Sequence, residues 1–212
     1  MDARARIKYI LAPILYRNPP FILHPAGIGV LLHELLVRRD VPGDIAEIGC
    51  ALGGTACIAA AAAKFYSPNK SYTCFDTFSG FVTEQLDTDI ALGTPEAVRR
   101  TYNSNSVALV RRILDMHDCQ DVRLVEGDIT KVSDSVFSDN YSVVLLDVDL
   151  SEPTYIALKR FYPKLSKGGV ILIDDCRQEG NQRWKANLGF QRFCQENGLA
   201  AEIRNGFGVV EK

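Results

Sequence analysis

The sequence predicts an α/β, doubly wound, Rossmann-like domain with a mostly parallel sheet, a reversed last strand and extra helices at the N-terminus. Short apolar runs at 44–48, 71–75, 122–125, 143–146 and 170–173 alternate with helical patterns, the rhythm of βαβ units. Val143-Val144-Leu145-Leu146 and Val170-Ile171-Leu172-Ile173 are apolar throughout rather than alternating, so both faces of those strands are expected to be covered. With 212 residues, residues 1–212 are expected to form a single domain that buries about 70% of the surface of its unfolded chain.

The elements follow in order. Ile7, Ile10, Leu11, Ile14 and Leu15 recur at helical spacing and predict a short amphipathic helix with one apolar stripe. A second helix is predicted over 28–39, and Val41-Pro42-Gly43 breaks it and turns the chain into the first strand. Residues 1–40 thus form a helical cap, expected to cover a site, make a homodimer contact or pack on the sheet. Asn18-Pro19-Pro20-Phe21 matches the Asn-Pro-Pro-aromatic signature of amino-methyltransferases, but it follows a helix instead of ending a strand and is read as a proline-rich connection.

The strand 44–48 runs into Gly49-Cys50-Ala51-Leu52-Gly53-Gly54 and then into a helix rich in alanine. The spacing Glu-x-Gly-x-x-x-Gly-Gly is neither the dinucleotide fingerprint nor a phosphate-binding loop, and no Lys follows to meet a phosphate. Side chains at Gly49 or Gly53 are expected to fill space that a ligand across the strand end needs. Glu47 inside the first strand suits a ligand carrying an amino group and a sulfonium, which points to S-adenosylmethionine.

The second strand, 71–75, ends at Asp76, where a carboxylate can accept both hydroxyls of a ribose. Residues 77–118 form a long insert, expected to be a lid: irregular over 79–93, then a helix over 96–116 burying Val98, Val107, Val110, Ile113 and Leu114. The third strand delivers Asp128, either a partner for an adenine amino group or an ordinary turn residue. Pro153 is expected to open the helix between the fourth and fifth strands and Gly168-Gly169 to close it. Asn205-Gly206, flanked by Ile203 and Val209, signals a hairpin and a reversed final strand. The cofactor set is Glu47, Gly49, Gly53, Thr55, Asp76, Thr77, Asp128 and Asp147.

Four carboxylates at two strand ends, Asp147, Asp149, Asp174 and Asp175, would repel one another unless a cation or basic side chains compensate them. Ligands that are all oxygen indicate a hard divalent metal, Mg²⁺ first and Ca²⁺ or Mn²⁺ next. Salt bridges from Arg177, Arg183 and Lys185 are the alternative. His24, His33 and His117 are scattered and form neither a zinc site nor a catalytic dyad.

A net charge of −2 gives no footprint for nucleic acid or for an anionic membrane and favours a small-molecule partner. Six cysteines without a Cys-x-x-Cys pair read as reduced thiols. Arg4, Arg6 and Lys8 precede an apolar segment that is short, contains Pro13 and lacks a cleavage site, so no signal peptide is expected and the cytoplasm is the expected location.

Taken together, Val41 to Gly49, Phe75-Asp76-Thr77-Phe78-Ser79-Gly80-Phe81, Asp147-Val148-Asp149 and Tyr162-Pro163-Lys164-Leu165 with Gly168-Gly169 through Asp174-Asp175 resemble the macrocin O-methyltransferase family over roughly residues 40 to 200. That resemblance implies a class I methyltransferase sheet and an S-adenosylmethionine- and Mg²⁺-dependent enzyme methylating a hydroxyl of a small metabolite, often on a natural-product sugar. It implies further that Asp147, Asp174 and Asp175 are the metal ligands and Asp149 the general base. Cys176 departs from the family, which commonly has an aromatic residue there. The rival readings are a catechol-type O-methyltransferase, whose third ligand is typically Asn where this chain has Asp175, a cofactor- and metal-binding protein without transferase activity, and a hydroxylase-like relative.

Overall fold

The computed structural model describes residues 2–177 and 183–212. Two helices, α1 (Ala3–Leu15) and α2 (Pro25–Val37), precede a seven-stranded sheet built from β1 (Asp44–Ile48), β2 (Tyr72–Asp76), β3 (Arg123–Glu126), β4 (Tyr141–Leu146), β5 (Leu165–Ile173), β6 (Glu202–Arg204) and β7 (Phe207–Glu211). The strand order is β3-β2-β1-β4-β5-β7-β6, with β7 antiparallel to both β5 and β6. Between the strands run α3 (Gly54–Tyr66), α4 (Thr83–Ala91), α5 (Val107–Met116), α6 (Ser151–Phe161) and α7 (Ala186–Glu196). The fold class and the reversed end of the sheet are as predicted.

Two cores sandwich the sheet. Ile45, Cys74, Val143, Val170 and Leu172 pack one face against α2, α3 and α5, while Ala46, Ile48, Phe75, Val144, Leu146, Ile171 and Ile173 pack the other against α6 and α7. The continuous apolar runs thus bury alternate residues on opposite sides, as a strand covered on both faces requires. All six cysteines are buried and free. Among the described residues no helix is long and apolar enough to cross a membrane.

Three expectations need correction. The helix predicted over 96–116 is divided: a 3₁₀ turn at Glu96–Arg100 is followed by a loop, and α5 starts only after Ser106, whose hydroxyl accepts from the Leu109 N–H at 3.2 Å. Asn103-Ser104-Asn105-Ser106 is a cluster of residues that compete with helical backbone bonds and cap helices instead. The stretch 79–93, expected to be irregular, contains α4, fixed by buried Leu86 and by buried Asp89, which accepts from the Ser151 N–H at 2.9 Å and from its hydroxyl. Asp89 therefore caps α6 from a distance, where the residue before α6, Leu150, has no side-chain cap of its own. Next, α6 is ended by Tyr162-Pro163, and Gly168-Gly169 lie inside β5, where a β-carbon on Gly169 would meet Leu165 Cδ1 at 2.9 Å and the Ser142 carbonyl at 3.0 Å. Of the three roles open to the N-terminal helices, packing on the sheet is not taken by the stripe Ile7, Ile10, Leu11, Ile14 and Leu15, which is exposed. The helix α7, which carries buried Phe190 and Phe193 and fits against α6 through Gly189, was not legible from the sequence pattern.

Candidate active site

The site is set by register. Ile48 pairs with both Phe75 and Leu146, and Leu146 pairs with Ile173, so the next residues, Gly49, Asp76, Asp147 and Asp174, line up along the carboxyl edge. Backbone bonds hold that edge: Gly49 N–H to the Phe75 carbonyl at 2.8 Å, Asp147 N–H to the Ile48 carbonyl at 2.8 Å and Asp174 N–H to the Leu146 carbonyl at 2.9 Å. Open parallel sheets bind ligands where strand order reverses, and here β1 leads to β2 on one side and has β4 on the other.

A cavity opens over this edge. Gly49, Ala51, Asp76, Thr77, Gly127, Asp128, Asp147 and Asp149 line it, together with Phe81, Gln85 and Tyr102 from the insert. The Asp76 carboxylate accepts from the Ala51 N–H at 2.9 Å and the Phe78 N–H at 2.7 Å, which ties the glycine-rich turn to the end of β2. Burial nevertheless pushes Asp76 above its ordinary range. Asp128 accepts from the Thr130 N–H at 2.9 Å, the Thr130 hydroxyl at 2.8 Å and the Gln85 amide at 3.0 Å. Burial raises its pKa, but these donors together outweigh burial and hold it low. Asn105 donates to the Ala51 carbonyl at 2.6 Å and so fastens the insert to the turn.

Three other predicted contacts lie elsewhere. Glu47 is buried in the sheet, accepts from the Tyr72 hydroxyl at 2.7 Å and does not line the cavity; burial raises it to about 7. Gly53 takes φ +78 at the N-terminus of α3, where a β-carbon would meet Val110 Cγ1 at 3.1 Å. Thr55 is buried in the first turn of α3. The predicted reason for the glycines is corrected as well. A β-carbon on Gly49, at φ +86, would overlap the Asp147 carbonyl oxygen and lie 2.7 Å from its carbon, so this glycine clears the β4 backbone and not a ligand. At Gly54 a β-carbon would strike the backbone of Pro20 and Phe21, which places the proline-rich connection across the start of α3.

Beyond β4 and β5 the acidic rim closes into a cluster. Carboxylate oxygens of Asp147, Asp149 and Asp175 all lie within 4.8 Å of one another. Asp149 at φ +65 and Asp175 at φ +58 adopt a left-handed backbone that costs a non-glycine residue free energy and is found at sites where geometry outranks stability. The Asp149 carbonyl, accepting from the Lys185 and Ala186 N–H groups at 2.9 and 3.0 Å, anchors that turn to the start of α7. Burial first, then repulsion from Asp174 and Asp175, raises Asp147 well above the carboxylate range. Asp149 is raised by burial and then by Asp147 and Asp175. Asp174 is raised to about 6 by burial and Asp175, against the opposing pull of Arg177 and His24, and stands outside the group of three. The geometry thus joins Asp147 and Asp175 with Asp149, where the resemblance implies Asp174 as the third ligand. Cys176 is fully buried, and a β-carbon on Gly208 would lie 2.8 Å from its sulfur, so it sits beneath the sheet edge.

Residues 31–205 match the family described as Macrocin-O-methyltransferase (TylF). The chain belongs to this family. Its relatives include the demethyldecarbamoylnovobiocin O-methyltransferase of Streptomyces niveus, 27% identical over 147 residues, or 67% of this chain and 56% of the relative. The mycinamicin III 3''-O-methyltransferase of Micromonospora griseorubida is 29% identical over 150 residues, covering 67% and 58%. The matched region thus spans less than two thirds of the length of either curated relative. Among solved structures, the calicheamicin methyltransferase CalS11 superposes with a TM-score of 0.71 at 24% identity, covering 98% of this chain and 90% of the other. The O-methyltransferase NovP gives 0.73 at 21% identity, covering 92% and 83%, and both establish the shared fold.

Nothing in the local sequence marks Gln85 and Tyr102, which line the cavity from the insert, or Asn105, which fastens the insert to the glycine-rich turn, because the insert's helices do not follow the predicted bounds. The Asn/Ser cluster at 103–106 was the one local signal that this segment turns back.

Proposed function

We propose that this chain transfers the methyl group of S-adenosylmethionine to a hydroxyl of a small hydroxylated metabolite, in the manner of its O-methyltransferase relatives. The observation that carries the reading is one edge on which a ligand cavity meets a carboxylate cluster, with Asp147 and Asp149 belonging to both. Asp76 faces the cavity with both oxygens already aimed by backbone donors, a fit to a ribose diol, and Asp128 stands at the far wall.

The donor set of the cluster fits a hard divalent cation, since its members are all carboxylate and unfavourably close without one. Asp147 and Asp175, with Asp174 beside them, would hold the cation; Asp149 lines the cavity, which Asp174 does not, and is assigned as the base. When bound, S-adenosylmethionine supplies the methyl group and the cation lowers the pKa of the acceptor hydroxyl. Asp149 takes the hydroxyl proton, and the walls from Phe81 and Tyr102 limit water and hold the acceptor for in-line approach.

The test uses isotopically labelled S-adenosylmethionine with a panel of glycosides and phenols, reading product mass for an added CH₂. Asp149→Asn is expected to keep cofactor binding and lower turnover by roughly 10²–10⁴-fold. Cofactor binding with no methylated product from any acceptor class would support a binding protein instead.

A further inference from the structure

The helix α1 has two faces. At about 100° per residue, Ala5, Ala12 and Tyr16 fall on one side and are buried against the body of the protein. Arg112 stacks over the Tyr9 ring at 4.7 Å, and a His117 ring nitrogen lies 3.0 Å from the Tyr16 carbonyl. The opposite side carries Ile7, Ile10, Leu11, Ile14 and Leu15, with Ile10 62% and Ile14 77% exposed. The small residues dock the helix, and the large aliphatic ones point away from the protein.

The charges bordering this stripe have one sign. Arg6 borders the stripe on one side and Lys8 on the other, Arg4 stands among its aliphatic side chains, and Arg17 follows just past the helix end, with Lys8 also reaching the Ser104 carbonyl at 3.0 Å. Asp2 is the only acidic residue before Glu34, and its carboxylate is occupied in capping α1 through the Ala5 N–H at 2.6 Å. The formal charge of −2 for the whole chain hides this local excess of cations. A second copy docked on the same stripe would set the cations of two α1 helices against each other with no carboxylate on either flank to pair them. An anionic lipid surface satisfies both features, since aliphatic side chains enter the acyl boundary while guanidinium and ammonium heads reach lipid phosphates.

We propose that α1 is an in-plane anchor that seats this protein on a membrane surface rich in anionic lipid. The anchor lies along the surface and does not span it; its 13 residues are too few to cross. Nothing in this inference depends on the methyl-transfer reading.

The test is co-sedimentation of the full chain with vesicles of phosphatidylcholine alone and with about 30 mol % phosphatidylglycerol. Binding to the anionic vesicles is expected to exceed binding to the neutral ones by roughly tenfold or more and to fall steeply with added salt. The double substitution I10S/I14S is expected to lower it at least about tenfold, with circular dichroism and S-adenosylhomocysteine affinity unchanged. R6Q/R17Q is expected to remove most of the preference for anionic lipid. No binding to anionic vesicles, or binding that I10S/I14S leaves intact, would overturn the proposal. Equally decisive against it would be a dimer, seen by sedimentation equilibrium without lipid, that I10S/I14S dissolves, since the stripe would then face a second copy.

Discussion

Gly49→Ala puts the central close approach of the fold to the test. The added β-carbon would overlap the Asp147 carbonyl oxygen and stand 3.3 Å from the Val148 nitrogen, and these neighbours are backbone, so no rotamer change relieves the clash. Both sides are also pinned, by Gly49 N–H to Phe75 and Asp147 N–H to Ile48, each at 2.8 Å. Alanine in a left-handed conformation costs about 1–2 kcal/mol. Parting β1 from β4 adds about 1–3 kcal/mol for overpacking and a similar amount if a buried ladder bond opens. The sum, about 3–8 kcal/mol, is a large part of the roughly 5–15 kcal/mol that holds a domain folded. Gly198 is the control, because it also has positive φ, +64, but nothing lies within 4 Å of its β-carbon. Gly198→Ala should therefore cost only the conformational term of about 1–2 kcal/mol. Urea unfolding of both variants by circular dichroism, with S-adenosylhomocysteine titration of the folded protein, separates the terms. A Gly49→Ala protein as stable as Gly198→Ala but unable to bind the cofactor would refute the backbone argument and restore ligand clearance as the reason for this glycine.

Further outcomes follow from the carboxylates. Glu47 titrates at about 7 in the fold against an ordinary 4.5, so its contribution to stability is full below about 4.5 and is lost as pH rises through about 7, a loss of about 3 kcal/mol. Glu47→Gln should flatten that decline, read as the difference in urea midpoint between about pH 5 and pH 8; an unchanged slope would mean that Glu47 is not protonated in the fold. Asp76→Ala deprives the Ala51 and Phe78 N–H groups of their acceptor, and should lower stability by about 3 kcal/mol and weaken cofactor binding roughly ten- to a hundredfold. Calorimetric titration showing native cofactor affinity in a folded Asp76→Ala protein would remove Asp76 from the ribose site. EDTA should abolish methyl transfer and Mg²⁺ restore it, whereas full activity in metal-free protein would leave basic side chains as the partners of the acidic rim.

The central sheet was legible because its strands are apolar on both sides and each ends in a carboxylate or glycine, a pattern set by local sequence. Asp76, Asp128, Asp147 and Asp149 could be placed on one edge from the strand ends alone. The purpose of Gly49 could not, since it depends on the backbone of Asp147, nearly a hundred residues away in the chain. The same holds for Asp89, whose buried carboxylate looks like a surface residue of a polar segment until Ser151 is brought to it. The surroundings of Glu47 were not legible, because its partner, the Tyr72 hydroxyl, comes from the neighbouring strand β2. The stripe on α1 was correctly seen as apolar; what periodicity could not reveal is that alanines would be the docking face.

The strand order also has a consequence for synthesis. The first strand to leave the ribosome, β1, lies between β2 and β4, and the partner on its β4 side ends only at Leu146. At about 5–20 residues per second, the roughly one hundred residues from Ile48 to Leu146 take on the order of 5–20 s to make. Throughout that interval one side of β1 has its backbone donors and acceptors unmatched, open to any extended chain nearby. Slow translation between α5 and β4 would lengthen that exposure, so in a cell the yield of this protein should be more sensitive to pauses there than to pauses after β4 has emerged.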